Sequence, residues 1–271
     1  MTTAFVLGGG GRWGAVEVGM LRALVEADIH PDMVLGTSIG AFNGSVIAAE
    51  PGPGGVRRLI DIWELLAGSG LFGGKLSRFR NAVTLKPSLN DPADLRSLLA
   101  GVHGDRRIED LEVRFQCVAA SIERAAEHWF TEGPLVDALM ASAAVPTLFP
   151  PVRVGDEHFY DGGLVDSVPL SRALALGATE VFVLQVGRLE SPLRPPRRLH
   201  EAALISFEIA RRHRVSTLLD NLPSGVEVHL LPSGNPVAFD DRRQLKWRDT
   251  SDTVDLVESA FQATASYLAA G

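Results

Sequence analysis

Cysteine is almost missing from this chain: Cys117 is the single one among 271 residues. One thiol cannot close an intramolecular disulfide, so no cross-linked scaffold is expected, and a reducing compartment is. Cys117 lies in the apolar run Phe115–Ala119, where a buried strand position is expected rather than a reactive thiol. No apolar run reaches the roughly 18 residues of a transmembrane helix. Met1-Thr-Thr leads straight into Ala4–Leu7, which is too short and too poorly flanked by positive charge for a signal peptide. A cytoplasmic protein is expected, with peripheral membrane contact left open. Positive charge is also scarce: 26 basic residues against 33 acidic ones leave a net charge of −7. That lacks the basic footprint of a nucleic-acid binder, so no nucleic-acid partner is expected. Internal repeats and low-complexity tails are absent, and nothing in the pattern specifies an oligomeric state.

Glycine, by contrast, is abundant and placed. In Val34-Leu-Gly-Thr-Ser-Ile-Gly-Ala-Phe-Asn-Gly44 a short apolar strand stops at Gly36, Ser38 stands between Gly36 and Gly40, and small residues follow at helical spacing. Strand, sharp turn and helix make up the G-x-S-x-G nucleophile elbow, whose glycines let a strained turn present a hydroxyl. The following helix would direct its N-terminal dipole at that oxygen. A simple helix cap by Thr37 or Ser38 is the alternative.

A second glycine turn precedes it. Ala4–Leu7 reads as a buried strand running into Gly8–Gly11, after which Arg12-Trp-Gly14 opens a helix ending before Pro31. Two strand-to-helix turns on consecutive parallel strands lie on one sheet edge, where such folds place ligands. Gly9, Gly11 and Gly14 also fit a dinucleotide fingerprint. A dinucleotide site needs an acid at the end of the second strand, and Gly36-Thr-Ser38 supplies none. The exposed backbone N–H groups serve equally well as an oxyanion hole.

Further along, helices are predicted over 56–67, 94–100, 135–145, 169–176, 201–222 and 252–270, and strands over 113–121, 127–131, 179–187 and 226–231. Residues 68–92 dissolve into glycines, apolar residues and cations; a surface loop is expected, with a mobile lid as the functional alternative. Asp161 ends the apparent strand Phe159-Tyr-Asp ahead of Gly162-Gly163, where a tight turn with a solvated carboxylate is the bland alternative. Arginines gather late, Arg211, Arg212 and Arg214 among them, and a solvated helix face is expected there. His200, His213 or His229 could complete a Ser–acid–His order. However, Ser38 follows the second strand, earlier than an α/β-hydrolase elbow, and no late histidine sits in a glycine-bracketed strand-end loop.

Four ordered stretches, Leu7–Ala15, Gly36–Gly40, Ala141–Pro151 and Tyr160–Pro169, together resemble the patatin-like phospholipases. The resemblance implies a three-layer α/β/α fold around a central, mostly parallel sheet. It implies one domain over 1–271, with motifs in 4–187 and a C-terminal helix–strand–helix over 197–271 completing it. It also implies a Ser38–Asp161 dyad without histidine, an oxyanion hole at Gly9, Gly10, Gly11 and Arg12, and support from Gly14, Gly36, Gly40, Gly162 and Gly163. The implied activity is deacylation of phospholipids or other lipid esters, with a lipid or acyl-ester substrate and neither metal nor organic cofactor. Acyl transfer or thioester cleavage by the same serine, and an idle lipid-binding module, are the rival functions. Two departures stand out. Trp13 occupies the place where the family usually has Lys or Arg, with Arg12 one earlier, and Asp166-Ser167 stand where a pair of asparagines is frequent.

Overall fold

The computed structural model describes residues 1–69, 92–186, 189–196, 199–236 and 252–270. Two glycine-linked strand–helix units open the chain: β1 (Thr3–Leu7), a 3-10 turn (Gly11–Gly14) and α1 (Ala15–Glu26), then β2 (Met33–Thr37) and α2 (Ile39–Ala49). The helices α3 (Pro53–Ser69) and α4 (Pro92–His103) precede the hairpin β3 (Arg114–Ser121) and β4 (Ala126–Phe130). Next come α5 (Leu135–Ser142), β5 (Val152–Val154), β6 (Glu157–Asp161), α6 (Leu170–Ala175) and β7 (Glu180–Leu184). The chain closes with α7 (Leu199–Leu219), β8 (Glu227–Leu230) and α8 (Thr253–Ala270).

The described strands form one eight-stranded sheet in the order β5-β6-β3-β2-β1-β7-β8, with β4 also on β3. The pairings from β3 through β2, β1 and β7 to β8 are parallel, whereas β4, β5 and β6 pair antiparallel. Alternation along the strands explains the layering, since successive side chains leave opposite faces. Phe5, Leu7, Val34, Phe115, Phe182 and Leu184 enter the core shared with α1, α2, α3 and α8. Ala4, Val6, Met33, Leu35, Val181 and Val183 face the other way, onto α6 and α7. Strands buried on both faces read as continuous apolar runs, which is why β1 and β7 were conspicuous in the sequence. The α/β/α arrangement is therefore the expected one.

Several boundaries differ from expectation. The helix predicted from Arg12 begins at Ala15, because Gly11–Gly14 make a tighter turn first. The strand predicted over 179–187 stops at Leu184. The Pro150-Pro151 turn leads into β5, a strand absent from the periodicity reading because three residues are too few to show a period. Most of the predicted surface loop or lid, residues 70–91, lies outside the described residues, as does Gly187.

One pairing detail governs everything downstream. β3 carries β2 along residues 114–118 and β6 along 119–121, while β4 covers 117–121. Because β4 overlaps both, β2 and β6 must share the opposite edge of β3, and they meet there end to end. Thr37 pairs with Val118 and Asp161 with Ala119. The elbow and the acid are thus delivered to adjacent positions of one strand from opposite directions.

The C-terminal helix is fastened to this frame through α1. A Cβ at Gly19 would collide with the Val257 carbonyl of α8. Gly19→Ala must force the two helices apart, and a loss of about 1–3 kcal/mol in unfolding free energy, measured by chemical denaturation, is expected.

Candidate active site

Ser38 sits at the junction of β2 and α2 with φ 55° and ψ −120°, a conformation that costs a non-glycine residue energy. Such strain persists only where the surroundings over-determine it. Gly40 lets α2 approach the end of β1 so closely that a Cβ there would stand 2.5 Å from the Leu7 carbonyl oxygen. At Gly36 a Cβ would meet the α2 backbone at Ala41, at Gly14 the Ile39 side chain, and at Gly162 the Val118 carbonyl. These four glycines are places of close approach between segments. At Gly163 the backbone does something else: its amide donates to Asp161 Oδ1 at 2.7 Å.

The Ser38 backbone is held by a residue that the sequence did not single out for a polar role. Ser142, fully buried on α5, accepts from the Ser38 amide at 2.9 Å and donates its hydroxyl to the Val118 carbonyl at 2.7 Å. It fills the gap where β2 ends and β6 has not yet begun. Its only sequence signal is a lone hydroxyl in the small-residue run Ala141–Ala144. A second tie runs from Thr37 Oγ1 to the Asp166 carbonyl at 2.8 Å, joining the elbow to the loop beyond Asp161.

The Ser38 hydroxyl donates to Asp161 Oδ2 at 2.5 Å. Asp161 is 6% exposed, so the solvated-turn alternative is excluded. Burial pushes its carboxyl up to about 6, opposed by the Ser38 hydroxyl, the Gly163 amide and the positive field of Arg211. Among the described residues no imidazole bonds to either member. His213 is exposed on α7, and His229 stacks on Phe182 and reaches Tyr267.

Arg211 and Arg212 are not on a solvated face. The Arg211 and Arg212 side chains are 9% and 17% exposed beside the buried Glu208, at 3.8 and 3.5 Å. Arg214 reaches the Val165 carbonyl at 2.5 Å, Glu127 at 3.0 Å and Asp166 at 3.3 Å, which clamps the loop that carries Asp161. Helical spacing identified the segment, but only packing shows which face the cations occupy. Cys117 is buried, and burial drives its thiol up, so it remains a protonated core residue.

In the glycine loop the amides are not equivalent. Gly8 donates to the Leu184 carbonyl at 3.0 Å and Gly9 to the Ser167 carbonyl at 2.9 Å. Gly9 is therefore removed from the expected oxyanion donors, because its N–H is already committed. Gly10 and Gly11, the latter at φ 60°, make the turn, and their amides have no acceptor among the described residues. Trp13 is fully buried core. Arg12 lies over its ring at 4.9 Å.

Gly11, Arg12, Ser38 and Ile39 form one end of an open cleft, whose other walls include Phe42, Trp63, Leu66, Leu99, Leu139 and Phe149. Almost all of that wall is hydrocarbon. Among the described residues no group of His, Cys, Asp and Glu could hold a metal, and no helix is long and apolar enough to cross a membrane.

A family model described as Patatin-like phospholipase matches residues 5–174. The chain belongs to the patatin-like phospholipase family. Lysophospholipase nte1 of Aspergillus terreus is 30% identical over 193 residues, covering 70% of this chain and 12% of that protein. Patatin-like phospholipase domain-containing protein 7 of Mus musculus is 32% identical over 189 residues, covering 68% and 13% respectively. The chain thus spans about an eighth of the length of these relatives. Among solved structures, VipD from Legionella pneumophila aligns over 99% of this chain and 67% of its own, at 15% identity and a TM-score of 0.46. The matched region of this patatin-like chain holds both Ser38 and Asp161 but ends before α7 and α8.

Ser142→Ala should relax the elbow. It leaves the buried Val118 carbonyl and Ser38 amide unpaired, so a stability loss of about 1–3 kcal/mol is expected. Esterase turnover should fall with it, measured at a temperature where the variant is fully folded.

Proposed function

We propose that this domain is a serine carboxylic ester hydrolase that deacylates a lipid ester, with Ser38 as nucleophile and Asp161 as general base. The observation that carries this is the 2.5 Å contact between the Ser38 hydroxyl and the buried Asp161 carboxylate at the reactive end of an apolar cavity. An acyl chain gains about 0.8 kcal/mol per methylene buried against such a wall. The wall supplies hydrocarbon contacts and few hydrogen bonds, which suits an acyl chain better than a sugar or nucleotide. One matched relative is named a lysophospholipase, which supports a single-chain lipid ester as the substrate class.

In the first half-reaction Asp161 takes the Ser38 proton as Oγ attacks the ester carbonyl. The amides of Gly10 and Gly11 receive the developing oxyanion, and the N-terminus of α2 adds favourable potential. Collapse expels the alcohol portion, which leaves with the proton from Asp161, and an acyl-Ser38 remains. Asp161 then deprotonates a water that attacks the acyl-enzyme, and the fatty acid departs as Ser38 recovers its proton. A free aspartate, with a pKa near 3.9, is a weak base for this task. Burial narrows the mismatch by raising Asp161 to about 6. The helix dipole and the neighbouring donors act on the other partner, by stabilising charge on Ser38 and on the oxyanion.

Ser38→Ala is expected to abolish hydrolysis of a p-nitrophenyl acyl ester, and Asp161→Asn to lower it by at least about 100-fold. A product-resolved screen of lysophospholipids, diacyl phospholipids, glycerides and acyl-CoA, with Ser38→Ala as blank, identifies the substrate class. Full activity in Asp161→Asn would refute the dyad.

The pH dependence follows from the direction of the Asp161 shift. The base works only when ionised, and its folded-state value is raised to about 6. For an uncharged ester, kcat/KM should therefore be low in acid, rise through about pH 6 and reach a plateau above it. A rate independent of pH between about 4 and 8 would contradict Asp161 as the base.

A further inference from the structure

Glycine loops do not hold their own shape. Gly10 and Gly11 carry no side chain to lock them; the ties at Gly8 and Gly9 secure the segment upstream, and downstream a single longer bond runs from the Trp13 amide to the Gly10 carbonyl at 3.3 Å. Downstream, the next side chain is Arg12. Its side chain is 3% exposed, lies over the Trp13 ring and forms an ion pair with Asp252. Arg12 also lines the cavity next to Gly11 and Ser38. A buried guanidinium needs a counter-charge with good hydrogen-bond geometry, so its position follows that of its carboxylate partner.

Asp252 is well placed to be that fixed point. It stands immediately before α8, and its carbonyl accepts from Leu256 at 2.9 Å in the first turn of the helix. That helix lies against α1, with Val257 over Gly19 and Ala260 beside it. The ion pair therefore connects the glycine loop at the start of the chain to a helix 240 residues later, beyond the stretch matched by the family model.

We propose that Asp252 is a positioning residue for the esterase site: through Arg12 it fixes the Gly10 and Gly11 amides, so that α8 completes the oxyanion hole. This rests on the catalytic reading of Ser38 and Asp161 given above. It also gives Arg12, one place before the family's usual cation, a defined task. Loss of the Asp252 charge lets Arg12 seek another arrangement, and displacement of the adjacent amides by a fraction of an ångström weakens their grip on the oxyanion.

The test uses the full chain with Asp252→Asn, Asp252→Glu, Arg12→Gln and the Arg12→Gln/Asp252→Asn double variant. Three quantities are measured: kcat and KM on a p-nitrophenyl acyl ester, the melting temperature, and amide hydrogen exchange across residues 8–14. Asp252→Asn should lower kcat by about 10- to 100-fold, with KM changed less than about twofold, while exchange in that segment accelerates. Asp252→Glu should recover part of kcat, and the double variant should lose about as much as Arg12→Gln alone, because both remove one interaction. Unchanged kcat and exchange in Asp252→Asn, or losses that add in the double variant, would overturn the proposal. If Asp252→Asn does not fold, Asp252→Glu keeps the charge but moves it, and faster exchange across residues 8–14 with a lower kcat in that variant supports the proposal, whereas unchanged values overturn it. If the unaltered protein hydrolyses no ester, the proposed activity fails, and hydrogen exchange still decides whether Asp252 orders the glycine loop.

Discussion

Two strands ending head to head on one edge of β3 leave a break in the backbone ladder, and a buried break must be satisfied by something. Here the Val118 carbonyl lies at the seam, with Thr37 opposite it and Asp161 opposite the next residue. Ser142 supplies the missing donor to that carbonyl and at the same time accepts from the Ser38 amide. The strained turn at Ser38 is tenable because this seam, the close approach at Gly40 and the Thr37 tie to the Asp166 carbonyl all constrain it together. An unpaired buried amide or carbonyl would cost about as much as the strain itself. Ser38 and Asp161 are neighbours because sheet pairing stops and restarts between them.

The same seam creates the electrostatic problem that the site exploits. A carboxylate at 6% exposure loses its hydration, and the donors around it, Ser38 Oγ and the Gly163 amide, replace only part of it. Its affinity for a proton rises as a result. Asp166 follows the same logic a few residues on. Burial raises it to about 6 as well, while Arg214 and Ser171 pull in the opposite direction. The loop between the two acids is thus held by α7 through Arg214, and the elbow by α5 through Ser142. The turns that carry Ser38 and Asp161 are positioned here by side chains from the layers on either side of the sheet.

Much of this was legible in the residues. Apolar runs located β1, β2, β3 and β7, and glycine spacing located both turns, because close approach and sharp reversal leave few alternatives to glycine. The Ser38–Asp161 pair was legible too, through two short motifs 123 residues apart. Less visible were features that depend on a partner distant in sequence. Ser142 reads as one small residue among alanines, and Arg211 and Arg214 read as a hydrated helix face. Nothing local distinguishes Asp252 from any other acid before a helix. The split among the loop amides was hidden for the same reason: whether Gly9 is free depends on the Ser167 carbonyl, 158 residues away by the numbering.

By itself, the sequence determined the α/β alternation, the order of the strand-to-helix turns and the chemistry of the two groups that meet. Those are local properties of hydrophobic period, glycine placement and side-chain type. Only the tertiary structure decided that β2 and β6 share one edge of β3, and hence that Ser38 and Asp161 stand 2.5 Å apart. It also decided that Gly10 and Gly11, rather than Gly9, keep available amides, and that Trp13 belongs to the core while Arg12 turns to Asp252. Hydrogen-bond commitment and burial are pairwise quantities, and a residue's share of them exists only once the rest of the chain has packed around it.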